Sequence, residues 1–422
     1  VENVSGEFKG AEFFSQGRIH FSCQSKNLIE LFINPRYENY TMRFAWLFLC
    51  SSLFGVVWTP PQKGRPPAQE ASAEFLLPPG RACPIRAQGG GWADVALILW
   101  QSKMWGLEFA GKSSTPTGES TPNIVLNEKA FVPDFAWRPG FKLGVGSYLP
   151  YDGWDVDARW TYYRGEGTHL KKHFTSQLNP AGLGIIPLWF YPFYNVEAPN
   201  QIRFQDGLMS WRHYFNSIDL EIGRDSRLGN RIELRIFGGL KGAWAWQTYH
   251  VTYEGGGNIN AILPGTFGTV PYQLLASSTA FKNKSRGLGP RAGFDSKWNL
   301  GWGFSLLADA AFSLLYSNFE ITRNGSDLNL NTSTNLQALY KMKQRSHFGA
   351  VKPVMEMTLG FDWARCVFTN SLIDFSLAYE VQYWWEQNEL RRNYSHELPA
   401  TTMWMKGDLQ MHGLTLTAGY SY

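Results

Sequence analysis

The chain has 422 residues, of which 44% are hydrophobic, 16% aromatic and only 18% charged. Its net charge of +4, with no basic block, offers nothing to a nucleic-acid partner. A mean hydropathy of -0.27 excludes a helical membrane protein, and the longest apolar run, residues 44–58, is shorter than the roughly 20 residues that a spanning helix needs.

Residues 1–41 begin at Val1 and show no sustained periodicity. Met42-Arg43 and the apolar stretch FAWLFLCSSLFGVVW follow, the pattern of a secretory signal. Translation is therefore expected to start at Met42, leaving 1–41 as an upstream artefact or, alternatively, a poorly structured extension. Residues 42–73 read as a signal peptide and Pro-rich region, with an A-x-A site at Ala71-Ser72-Ala73. Leu49 precedes Cys50 where lipidation requires a small residue, so no lipid anchor is expected. Residues 74–91 read as a periplasmic linker ending in Gly89-Gly90-Gly91, and 92–422 as the folded domain.

From Trp92 onward the chain alternates with period two. Trp154, Val156, Ala158, Trp160 and Tyr162 alternate with Asp155, Asp157, Arg159 and Thr161. Ile232, Leu234, Ile236, Leu240, Trp244 and Trp246 oppose Glu233, Arg235, Lys241 and Gln247. Such alternation indicates strands whose second face must meet water. Strands are expected near 92–110, 139–149, 154–164, 211–224, 231–253, 286–298, 301–320, 348–364, 371–386 and 407–422. Short turns fall at 150–153, 225–230, 299–300 and 365–370, and long loops at 111–138, 165–210, 254–285, 321–347 and 387–406. The last strand carries Leu416, Ala418, Tyr420 and Tyr422 on one face and Thr415, Thr417, Gly419 and Ser421 on the other. Aromatic-rich strands, short turns and long loops in alternation predict an all-β fold. The expected architecture is a transmembrane antiparallel β-barrel of ten strands in a Gram-negative outer membrane, or of twelve if 92–111 or 165–210 hides a further hairpin. Its long loops are extracellular, its short turns are periplasmic, and its final strand pairs with the first.

Several segments also resemble one family. PDFAWRPGFKLGVGSYLPYDGWDVDARWTYYR (133–164), GLGPRAGFDSKWNLGWGFSLLADAAFSLLYSNF (287–319), KPVMEMTLGFDWAR, IDFSLAYEVQYWW and GDLQMHGLTLTAGYSY are similar to the Legionella-type major outer-membrane protein family, also found in environmental chlamydia-like bacteria. The resemblance covers most of 92–422. It implies a pore-forming or abundant surface barrel and carries no catalytic residues.

The candidate lumen-lining residues are Asp155, Asp157, Arg159, Asp219, Glu221, Glu233, Arg235, Lys241, Arg291, Asp295, Asp309, Glu356, Asp362, Asp374 and Glu380, with Asp94, Lys142 and Glu386 on the same inferred face. Acids outnumber bases, so a water-filled lumen would favour cations. If the lumen is instead filled, these groups must pair with one another. The expected function is a porin-like channel for passive diffusion of small hydrophilic solutes. The alternative is a plugged structural or adhesive barrel presenting loops to a host or the environment. In that case the aromatic cluster Trp189, Phe190, Tyr191, Phe193 and Tyr194 is either a contact patch or a plug in the mouth.

No G-x-S-x-G motif occurs, no histidines sit at metal-ligand spacing, and the sequence offers no third catalytic group to join Asp206 and His213 near the outer rim. No enzyme activity, cofactor or metal is expected; the expected partners are outer-membrane lipid and small solutes, and assembly with further copies of the chain, as in many porins, stays open. Cys83 and Cys366 are able to pair in an oxidising compartment or to remain free thiols.

Overall fold

The computed structural model describes residues 90–113, 128–150, 152–173, 185–190, 195–196, 203–228, 231–262, 270–368, 371–393 and 402–422. The artefact, signal and linker expectations for 1–89 lie outside the described residues, as do Cys23, Cys50 and Cys83.

Ten long strands form the wall: β1 (Gly91–Met104), β2 (Trp137–Tyr148), β3 (Trp154–His173), β4 (Phe204–Leu228), β5 (Ile232–Gly256), β6 (Val270–Gly301), β7 (Phe304–Asn331), β8 (Leu336–Phe368), β9 (Ser371–Asn393) and β10 (Thr402–Ser421). Each pairs antiparallel with the next. The ring closes where β1 meets β10, from Trp92↔Ser421 to Met104↔Leu409. Gly91 and Tyr422 then exchange both backbone hydrogen bonds, at 3.1 and 3.0 Å. A closed ring leaves no unpaired ladder in the hydrocarbon, the condition for a sheet to cross a bilayer. Among the described residues six short strands, including Ala110–Ser113 and Ile185–Pro187, belong to the connections at one end of the barrel.

That end is the extracellular one. The opposite end holds the short turns and both barrel termini, as in outer-membrane barrels. The turn expected at 299–300 is Trp302-Gly303, where φ is +57° and +84°. Glycine takes that left-handed conformation at no steric cost; for Trp302 the hairpin imposes it.

The apolar face of each strand points outward. Leu97 is 65% exposed, Leu416 52% and Val351 62%, values that make sense only against lipid. A spanning strand needs about 9–11 residues, whereas β6, β7 and β8 have 32, 28 and 33. The excess continues as sheet beyond the apolar belt. Most of the loop expected at 321–347, and 270–285 of the one expected at 254–285, are therefore strand. Two strand glycines explain themselves through their neighbours: Trp92 lies over Gly146 and the Asp94 carboxylate over Gly144, where a Cβ would collide. Cys366 is disulfide-bonded, which rules out its reading as a free thiol.

Candidate functional site

The barrel interior divides into a charged lower half and an apolar upper half. In the lower half a cavity of about 360 Å³ is lined by thirteen of the fifteen candidate lumen residues. The other two are close by: Lys241 is fully buried and bonded to the lining residue Asp219, and Asp362 sits 3.4 Å from lining residue Lys297. Twelve acids and six bases line the cavity, so its walls carry an acidic excess. Asp225, Arg227 and Lys297 also belong to the lining, although none is among the candidates and the sequence pattern places Asp225 and Arg227 in a turn. The strand continuing to Leu228 brings both residues into the wall.

The charges are laced together. On β5 the Arg235 guanidinium donates to Asp155 of β3 at 2.7 Å, Glu221 of β4 at 3.1 Å and Asp295 of β6 at 2.8 Å. Arg291 donates to Glu221 at 2.8 Å and also to Glu356. Lys241 reaches Asp219 and Glu356, both at 2.8 Å. This makes one continuous network from β3 to β8, and the Glu356 links bridge strands that are not neighbours in the ring. Lys142 on β2 pairs with Glu380 on β9, while Arg159 lies 3.5 Å from Asp157 and 3.8 Å from Asp94. The planar guanidinium, with several donors in a fixed fork, suits a position shared by several carboxylates.

Above the cavity the inward positions become aromatic and aliphatic. Trp100, Phe215, Trp384, Leu409 and Met411 are at most 3% exposed. The rings of Phe215 and Trp384 meet edge-to-face at 5.2 Å. Their strands, β4 and β9, are five apart in a ring of ten, so this contact spans the barrel from wall to opposite wall. The ammonium of Lys142 lies 4.9 Å from the Trp100 ring and that of Lys241 5.9 Å from the Trp384 ring. Cations are attracted to ring faces, so the ceiling of the charged cavity is itself bound to it.

Higher still, the mouth is filled from the connections. Leu107 and Phe109 follow β1, and Trp189 and Phe190 follow a short strand; all four are at most 3% exposed. Tyr249 donates to the Leu107 carbonyl at 3.1 Å, and Tyr253 donates to that of Phe109 while accepting from Leu188 and Trp189 backbone N–H groups at 3.2 Å. Thr279 and Arg323 donate to the Trp189 carbonyl at 3.1 and 3.2 Å. Trp189 and Phe190 thus occupy the plug position of the two that the sequence left open; residues 191–194 of that cluster lie outside the described residues.

Two residues lie elsewhere than the sequence predicts. Glu386 does not face the lumen: a register shift between Trp384 and Asn388 interrupts the alternation. Glu386 takes φ +48° and pairs with Lys406 at 2.7 Å near the outer rim. The hydrogen bond from Lys406 holds its carboxyl below the ordinary carboxylate value. His213 is only 1% exposed inside the filled mouth, stacked on Trp211 at 5.7 Å, rather than standing at an open rim. Among the described residues no group of three or more His, Cys, Asp or Glu could hold a metal ion.

Comparison with known proteins gives one family. The family described as Legionella pneumophila major outer membrane protein precursor matches residues 93–422. A search of curated proteins found no significant match. Among solved structures, the outer membrane protease OmpT from Escherichia coli is 11% identical with a TM-score of 0.32, the match covering 79% of this chain and 96% of that one. The toluene transporter TodX of P. putida is 9% identical with a TM-score of 0.23, covering 79% and 89%. A Pseudomonas aeruginosa FadL homologue is 10% identical with a TM-score of 0.21, covering 79% and 90%.

Proposed function

Since the chain belongs to the Legionella major outer membrane protein family and is an outer-membrane β-barrel, we propose that it is a porin-like channel, closed in the conformation described, for passive diffusion of small hydrophilic solutes. The observation that carries this reading is the cavity of about 360 Å³ with twelve acids to six bases on its walls. Acidic linings concentrate cations and repel anions, so the channel prefers cations. Closure comes from the aromatic layer at Phe215 and Trp384 and from the mouth segments resting on it. Opening requires the Trp189 segment to withdraw and the rings to turn aside. No chemical step belongs to this reading, and solute choice follows from width and charge.

A second reading is favoured by the same wall-to-wall contact: a permanently sealed barrel that presents its outer strands and loops to the surroundings. Ten-stranded barrels are narrow, and aqueous channels are typical of larger ones. Planar-bilayer recording of the full-length barrel separates the two. The channel reading expects infrequent, discrete, salt-dependent steps. A folded barrel that stays silent over long recordings, and remains silent when the aromatic layer is thinned, would establish the sealed reading instead.

A further inference from the structure

We propose that the outer face of β6–β8, from just above the lipid-facing belt outward, binds the phosphate groups of lipids in the outer leaflet. The register locates this surface. Leu288, Tyr316 and Val351 are cross-strand neighbours on the outward face, all about 60% exposed, and mark the upper edge of the belt. The next outward positions on β6 are Arg286, Lys284 and Lys282, and further along β8 lie Arg345, Lys343 and Lys341; all six are exposed. None forms an ion pair within 4 Å with a described residue, unlike the lumen bases just described. The strand between the two rows contributes Asn318, Thr322 and Asn324, with Glu320 as its one acid.

The geometry suits an anionic headgroup. Strands two apart are separated by about 9.5 Å and same-face residues along a strand by about 6.7 Å. Lys282 and Arg345 stand level on either side of Thr322, with Lys284 and Arg286 nearer the belt on β6 and Lys343 and Lys341 farther from it on β8, so the six bases form an oblique band across a shallow strip of short hydrogen-bonding side chains. Ammonium and guanidinium groups make strong, charge-assisted hydrogen bonds to phosphate oxygens. On the adjacent strand, Trp244 and Trp246 lie across from Arg286 and Lys284, and Trp residues at this depth mark a membrane–water interface. The basic surface is continuous with the established lipid interface below it, so a lipid anchored in the outer leaflet brings its phosphates to these rows. A soluble anion would lack that anchoring.

The test uses the refolded full-length chain in neutral detergent and bisphosphorylated lipid A as probe, with binding measured by thermophoresis. The variant K282Q/K284Q/K343Q/R345Q is expected to bind roughly tenfold or more weakly through loss of charge-assisted contacts. Lipid A with both phosphates removed should bind the unmodified chain as weakly, and K282R/K284R/K343R should retain binding. Added salt should weaken the interaction, and millimolar inorganic phosphate should not compete. Equal binding by the Gln variant, or equal binding of dephosphorylated lipid A, would overturn the proposal. Competition by inorganic phosphate would also overturn it, marking a free-anion site. The lipid comparison needs only the unmodified chain, so it decides the matter even if the variant misfolds, and neither arm depends on whether the lumen conducts.

Discussion

Arg235→Leu is expected to lower the unfolding free energy of the barrel by about 3–5 kcal/mol, the cost of breaking a buried pair by removing one partner. Arg235 neutralises three carboxylates from three different strands. One of them, Asp155, is only 1% exposed and would be left without the donor that holds both its oxygens. Leucine supplies volume but no donors, so the loss concerns charge and hydrogen bonding rather than packing. Arg235→Lys should fall between, because an ammonium keeps the charge but cannot present the same planar fork to three acceptors. Urea titration of the barrel folded in vesicles checks both variants. A Leu variant within about 1 kcal/mol of the unmodified chain, the range of an exposed pair, would mean that water solvates the network and that the cavity is wetter than its burial indicates.

Trp384→Ala is expected to have the largest effect on conduction. The Trp384 ring meets Phe215 across the full width of the lumen and roofs the Lys241 ammonium. Removing it opens a level at which wall side chains from opposite strands touch, while the ion network below stays intact. Truncating a buried Trp to Ala costs about 3–5 kcal/mol in general; here the missing volume also joins the charged cavity beneath to the mouth. Conducting steps should therefore be frequent in the variant and rare in the unmodified chain. Heat-modifiable migration on a gel verifies that the variant is folded. A folded but silent variant would mean that the mouth segments held by Tyr249, Tyr253, Thr279 and Arg323 seal the lumen by themselves, and the sealed-barrel reading would gain.

The strand count, ring closure and lumen face were legible because they rest on period two alone. In residues 154–162 every outward residue is apolar and every inward one polar, so the face is readable without knowing the neighbours. Where strands leave the membrane the signal fades. Along 321–347, Arg323 and Asp327 point inward while Lys341, Lys343 and Arg345 point outward. With water available to both faces nothing enforces apolar alternation, yet the backbone ladder persists. Depth was hidden too. Period two gives the side of the sheet but not the height in the barrel, so inward Trp100, Phe215 and Trp384 look in sequence like outward girdle residues. The three-carboxylate role of Arg235 depends on register across four strands, which one strand's pattern does not contain. Glu386 was misassigned because a local irregularity moves a residue off its expected face.

The most direct test of a cation-preferring channel closed by an aromatic layer is the reversal potential of Trp384→Ala currents in a planar bilayer under a potassium chloride gradient. The acidic excess of the cavity wall predicts a potential of the sign set by potassium, diminished when Asp157 and Asp309 are both changed to Asn. A reversal potential near zero, or one set by chloride, would contradict the account: the lining acids would then be fully neutralised by their partners and would not govern what passes.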